Sequence, residues 1–215
     1  GHDIAPKGFA WVVPVQRGGK RRARVGLMCD GDPAVSFRRL VARVGSSWGL
    51  REPVSADGAA GPRQKILPLA PIRRTYADRV LAIGDAAGLV KATTGGGIYY
   101  ALVSARAAAE VLAPALGRDA LGASQLSAYE TDWRRRLGSE LRAQLALRML
   151  AHRLSDTDIE ALFELARTDG VMPIVRRTAR FNHHRELIVS LFKPPPARKL
   201  LFRQLVAKSF ALSVS

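Results

Sequence analysis

The chain has 215 residues, 47% of them hydrophobic, which is enough for one large or two small cored domains and excludes a low-complexity disordered polymer. No apolar run reaches the roughly 18 residues of a membrane-spanning helix, so no such span is expected. The formal charge of +16 comes without a helix-turn-helix, RNP or zinc-ligand pattern, so nucleic acid is not expected as a partner; solvated surface charge and attraction to anionic lipid head groups remain.

In chain order, Phe9 to Val15 and Ala23 to Cys29 read as strands, with Gly18-Gly19 as a hairpin turn between them. On the first strand Phe9, Trp11 and Val13 alternate, as residues facing a core would. Cys29, the only cysteine, excludes an internal disulfide; its strand setting suggests a buried, inert thiol. From Pro33 to Leu50, the recurrence of Phe37, Leu40, Val41, Val44 and Trp48 marks one face of a helix. Gly58-Ala-Ala-Gly61 imitates a dinucleotide turn, but no apolar strand precedes it and Pro62 follows. Lys65 to Leu69 reads as extended, and a basic loop with Arg73 and Arg74 follows, placed in solvent or in structural ion pairs ahead of an anionic ligand.

The most informative stretch is Arg79 to Ile98. It reads as a short buried strand (Val80 to Ile83), a tight Gly84-Asp85 turn, a loop, the triple glycine Gly95-Gly96-Gly97, and a helix start. Gly84 lets the backbone turn and approach a ligand. Asp85 offers a carboxylate that accepts hydrogen bonds, which suits a sugar or ribityl hydroxyl. The glycines bare backbone N–H groups at a helix N-terminus, where the dipole favours negative charge. This order of parts suits a phosphate-bearing or electron-rich cofactor.

Beyond Gly97 the pattern is helical. Ile98 to Leu116 is rich in small residues that permit close packing. Ser124 to Leu150 is a long helix with Leu126, Tyr129, Trp133, Leu137, Leu141, Leu145 and Met149 at steps of three or four. Ser155 to Asp158 fits a helix start, with Leu162, Phe163 and Leu165 on the inner face. His183 and His184 are adjacent, a poor spacing for a metal pair on a helix, and no metal is expected. Pro194-Pro-Pro196 bounds a last helix, Ala197 to Leu212, with apolar and basic faces.

The blocks Gly84-Asp85-Ala86-Ala87-Gly88 and Thr94-Gly95-Gly96-Gly97-Ile98 resemble the second flavin-binding motif of the geranylgeranyl reductase family of FAD-dependent oxidoreductases, within the aromatic-hydroxylase-like flavoproteins. Where many members carry a proline in the intervening loop, this chain has Ala92. Gly8-Phe9-Ala-Trp11-Val-Val-Pro14 is similar to the family's aromatic-x-Trp-x-aromatic-Pro signature, with Val13 in place of an aromatic residue. The resemblance implies that Asp85 binds the ribityl chain of FAD and that Gly95 to Gly97 face the N1/C2=O edge of its ring. Gly84, Ala86, Gly88, Thr94 and Ile98 complete the cofactor-binding motif. Phe9, Trp11 and Pro14 belong to the substrate sheet near an isoprenoid channel.

The family's N-terminal GxGxxG element has no counterpart here, and the chain begins Gly1-His2-Asp3, so a fragment of a longer or split enzyme is expected. The resulting expectation is an α/β (α+β) chain: an incomplete FAD-binding domain with a β-rich substrate region over 1–75, the second flavin motif over 76–117 and a helical region over 118–215. The implied activity is FAD-dependent reduction of isoprenoid C=C bonds in a lipid, pigment or quinone. It draws electrons from a nicotinamide or ferredoxin, in the cytoplasm or peripherally at a membrane; no proton donor is assigned. A flavin-dependent monooxygenase or halogenase, and a non-catalytic basic lipid-binding module, stand as alternatives.

Overall fold

The computed structural model describes residues 1–49, 62–167, 172–180 and 183–191. It is of mixed α and β type and divides into two compact units, Gly1–Ile66 and Leu67–Ser215. The expected helix over 197–212, the Pro194 to Pro196 boundary, Gly58 to Gly61 and the side chain of Leu165 fall outside the described residues.

The first unit is a hairpin and a helix. Strands β1 (Phe9–Arg17) and β2 (Lys20–Met28) pair antiparallel, with Trp11 opposite Gly26 and Arg17 opposite Lys20. Gly18 and Gly19 make the turn at φ 57° and 71°, the left-handed pair that matches the twist of a two-residue hairpin. Helix α1 (Pro33–Trp48) opens on Asp32, whose Oδ1 accepts from the N–H groups of Ala34 (2.8 Å) and Val35 (3.2 Å). It closes on Gly49 in the left-handed region. Leu40 is buried on its inner face, whereas Trp48, in the last turn, is exposed.

Two expectations change in this unit. Phe9, Trp11 and Val13 do not face a core; they are 37%, 40% and 46% exposed. The helix α1 lies against β2, and a two-stranded ribbon has a second face that one helix cannot cover. Cys29 is half-buried rather than buried.

The second unit is organised by two long helices. Strands β3 (Tyr76–Ala77) and β4 (Val80–Leu81) form a minimal ribbon around Asp78-Arg79. The expected buried strand to Ile83 is thus paired only as far as Leu81 before the chain enters its turn, and it is not buried: Val80 is 57% exposed and Leu81 to Ile83 are half-buried, since a two-residue ribbon has no sheet neighbour to cover it. Helices α2 (Ile98–Leu116) and α3 (Ala123–Ala151) pack together, with Tyr100, Ala107 and Ala108 of α2 against Tyr129, Trp133, Leu137 and Leu141 of α3. The small residues of α2 allow this close approach. Residues flanking the ribbon are tied to α3: Thr75 donates from its N–H (2.8 Å) and hydroxyl (2.9 Å) to Glu130 Oε2, and the Trp133 indole donates to Thr75 Oγ1 (2.9 Å).

The predicted stripe of α3 holds through Leu141 and then fails. Leu145 is half-buried and Met149 is 58% exposed, while Gln144 and Arg148 are buried. The inner face turns polar because the groups packed against it are polar. Helix α4 (Asp156–Arg167) begins with a reciprocal cap between Ser155 and Asp158. Its Phe163 is 69% exposed, contrary to expectation, whereas Leu162 packs at the Leu150–Leu154 cluster. Helices α5 (Met172–Thr178) and α6 (Arg185–Leu191) are short. No helix among the described residues is long and apolar enough to cross a membrane.

Candidate functional site

The Gly-Asp turn is a short 3-10 turn, Gly84–Ala87, entered from extended Ile83. The Ala82 N–H donates to the Thr75 carbonyl (2.8 Å), so the chain reaches the turn held at the ribbon's end. Gly84 has φ 58°, and a Cβ placed on it would stand 2.9 Å from the Cβ of Ala101. Its N–H donates to the buried Ser104 hydroxyl (3.2 Å), fastening the turn to α2. Gly88 ends the turn at φ 69°, with the Ala70 carbonyl oxygen 2.0 Å from the Cβ position. No side chain fits there. Asp85 is half-buried and Ala86 exposed.

The loop that follows is buried from Leu89 to Ala92. Lys91 ties its two ends: its N–H donates to the Gly96 carbonyl (3.0 Å), and its carbonyl accepts from the N–H groups of Gly95 (2.7 Å) and Thr94 (3.3 Å). The three glycines have different reasons to be glycine. Gly95 sits at φ 70°. At Gly97 a Cβ would lie 2.3 Å from Asp85 Oδ1, so the structure brings Asp85 against the start of α2. At Gly96 a Cβ would meet only ordinary contacts, Thr94 Oγ1 at 3.5 Å and Lys91 Cδ at 3.6 Å, and the residue is exposed. Thr94 and Ile98 are exposed beside it. Gly97 occupies the cap position and has no side chain to satisfy the first-turn N–H groups of α2.

Under this loop lies a polar cluster that sequence reasoning missed. Gln144 donates to the Tyr100 hydroxyl (2.8 Å) and to Glu140 Oε1 (2.7 Å), and its Oε1 accepts from the Thr93 hydroxyl (3.3 Å). Arg148 donates to the Ala92 carbonyl (3.2 Å). Glu140 accepts from the N–H groups of His184 (2.6 Å) and Arg185 (3.0 Å) at the start of α6. Burial pushes the Lys91 ammonium below the usual lysine range, with Glu140 opposing the shift. Burial and the Glu140 charge push the Tyr100 phenol up to about 12, so it stays neutral as it accepts from Gln144. The one sequence signal was the i, i+4 series Glu140, Gln144, Arg148 flanking the apolar stripe, which reads as a solvated face until α6 and the loop cover it.

The remaining expected residues sort simply. Phe9, Trp11 and Pro14 lie on the hairpin of the first unit, all exposed. Arg74 is exposed and stacks its guanidinium 4.5 Å from the Tyr76 ring centre. His183 meets the Tyr99 hydroxyl at 3.3 Å. Among the described residues no group of three or more His, Cys, Asp or Glu side chains is arranged to hold a metal ion.

Residues 61–181, more than half of the chain, match the family model described as lycopene cyclase protein. Among curated proteins, digeranylgeranylglycerophospholipid reductase 2 of Methanothermobacter thermautotrophicus is 34% identical over 75% of this chain and 40% of its own length. The digeranylgeranylglycerophospholipid reductase of Methanothrix thermoacetophila is 33% identical over 80% of this chain and 42% of its own. The chain therefore spans about two fifths of the length of these relatives. A solved structure described as a geranylgeranyl bacteriochlorophyll reductase-like protein from Thermoplasma acidophilum shares the fold, with a TM-score of 0.61 at 18% identity over 94% of this chain and 48% of that one. The matched span makes the chain a member of the lycopene cyclase protein family.

Proposed function

We propose that the Gly84–Gly88 turn and the Gly95–Gly97 helix start form the flavin half-site of an FAD-dependent reductase acting on isoprenoid C=C bonds. The observation that carries this reading is Gly96. Gly95 is required by its backbone angle and Gly97 by the Asp85 carboxylate, but among the described residues nothing crowds Gly96. A bare, exposed backbone there suits close approach of a flat ligand. The residues present fit FAD: Asp85 would accept from a ribityl hydroxyl, and first-turn N–H groups of α2 would face the electron-rich edge of the ring. The turn is held to α2 through Ser104 and the loop is closed by Lys91, so these donors stand on rigid supports.

Bound FAD, once reduced, supplies a hydride for an alkene carbon while a proton completes the other carbon. The chain's own part is to bind, to orient and to oppose the negative charge of the reduced ring with helix-start N–H groups. The named relatives act on a digeranylgeranylglycerophospholipid, which favours an isoprenoid-tailed lipid as the substrate class, with Phe9, Trp11 and Pro14 on its path. A nicotinamide or ferredoxin would supply electrons, and a peripheral position at a lipid surface would suit such a substrate.

Titration of the purified chain with FAD, followed by flavin fluorescence, tests this reading alongside Asp85→Ala. Saturable binding weakened at least about tenfold by the substitution is expected. Equal affinity in both proteins overturns the assignment of Asp85, and absence of binding overturns the half-site for this chain.

A further inference from the structure

We propose that the buried Lys91 cation biases the flavin half-site toward the reduced, negatively charged ring, an inference that rests on the flavin reading above. Lys91 is 6% exposed. Its side chain runs beside the residue whose bare backbone is offered to the ring, since a Cβ on Gly96 would meet Lys91 Cδ at 3.6 Å. The backbone holds it there: the Lys91 N–H and carbonyl close the loop on Gly96 and Gly95. Arg148, also buried, donates to the carbonyl of the next loop residue, Ala92 (3.2 Å). The carboxylate of the cluster, Glu140, already accepts from the Gln144 amide (2.7 Å) and from the N–H groups of His184 (2.6 Å) and Arg185 (3.0 Å). Its satisfaction therefore does not depend on the lysine. Among the described residues, the buried charges beneath this loop are two cations, Lys91 and Arg148, against the one carboxylate of Glu140.

An enclosed cation is costly unless it meets an anion. Burial disfavours the charged form of Lys91, and the attraction of Glu140 offsets this only in part. Two-electron reduction of FAD with uptake of one proton leaves one negative charge on the ring. Such a charge over Gly96 would face the lysine across the loop backbone, where little water screens the attraction. The oxidised ring gains no such attraction. Lys91 thus acts on the charge of the ring through the loop and is a positioning residue, not a catalytic one.

The test reads the midpoint potential of FAD bound to the whole chain, titrated anaerobically with dithionite and followed by flavin absorbance. Lys91→Met keeps the apolar stem and removes the charge. It should lower the preference for reduced over oxidised FAD about tenfold, a fall of about 30 mV for a two-electron couple. Its affinity for oxidised FAD should stay within about threefold of the wild type. Lys91→Arg, which stays charged when buried, should keep the preference, as should Arg118→Gln, which removes an exposed cation elsewhere. The wild type gives a second reading that needs no variant to fold. Its potential should hold from low salt to about 0.5 M, because an enclosed charge is screened far less than a surface one. The proposal is overturned if Lys91→Met leaves the potential unmoved, or weakens both forms of FAD equally as a merely structural lysine would. It is also overturned if Lys91→Arg loses the preference as fully as Lys91→Met, or if the wild-type potential falls as salt rises. Absence of oxidised FAD binding to the wild type overturns the half-site reading together with this one; binding with any of the other adverse results overturns this one alone.

Discussion

At the hairpin tip, Gly18 and Gly19 stand at φ 57° and 71°, and no described residue comes within 4 Å of the place where a side chain would go. In the second unit Gly88 has nearly the same angle, but the Ala70 carbonyl already occupies that place, and Gly97 is blocked by the Asp85 carboxylate. One residue type thus answers two demands. At the tip only the local backbone asks for glycine, and any residue that tolerates the left-handed region serves. Around the Gly-Asp turn the neighbouring chain asks for it, so the geometry there is fixed by contacts from distant positions. A turn held in this way can present backbone groups at set positions, whereas the hairpin tip presents only its side chains.

Gly88→Ala should separate the two regions most strongly. It combines a left-handed angle with a collision against backbone, and a loss of about 3 kcal/mol in urea unfolding is expected. A smaller loss would mean that the 70–72 segment gives way and that the turn is less firmly held than its contacts suggest. Next comes Gln144→Leu, which leaves Tyr100, Thr93 and Glu140 short of partners beneath the loop; about 2 kcal/mol of destabilisation is expected in the same measurement. Gly96→Ala sharpens the contrast differently. Its Cβ meets only ordinary contacts, so stability should shift by less than about 0.5 kcal/mol, while FAD affinity falls if that backbone receives the ring. Replacing Gly18-Gly19 by Asn-Gly should leave the unfolding midpoint within about 0.5 kcal/mol of the wild type.

A pH experiment probes the tie between the Thr75 segment and α3. Burial alone would raise the Glu130 carboxyl, but the N–H and hydroxyl of Thr75 and the Arg134 guanidinium outweigh it and hold the carboxyl below its usual range. A lowered folded value means that the contribution is complete above the unfolded carboxyl range, about 4.3, and is lost as pH falls through the folded value. The thermal midpoint should therefore drop on acidification, with a shallower acid slope in Glu130→Gln. An unchanged slope would show that other carboxylates govern the acid limb.

Much of this chain is written in local pattern. The hairpin follows from its paired glycines and flanking strands, α1 from apolar period, α2 from its small residues after the triple glycine, and α3 from the run Leu126 to Leu141. The Gly-Asp and triple-glycine blocks are legible in part because Gly84, Gly88 and Gly95 take left-handed backbone angles, a local restriction on residue choice, whereas the contacts that crowd Gly88 and Gly97 come from elsewhere in the chain. The failures share a cause. Met149 continues the period of α3 yet is exposed, and Gln144 and Arg148 are buried, because Tyr100 and Ala92, more than 40 positions away, supply their hydrogen bonds.

By itself the sequence determined the hairpin, the helices α1 to α4, the placement of the Gly-Asp and triple-glycine motif at a helix start, and the family. Periodicity and backbone restriction act over a few residues, and a string of residues records them directly. Only the tertiary structure decided which face of the hairpin stays bare, which of the three glycines is free of steric duty, and that Lys91 and Glu140 are enclosed beneath the loop. Those outcomes depend on which surfaces distant segments cover, and burial of a polar group is tolerable only where such a segment brings its partner.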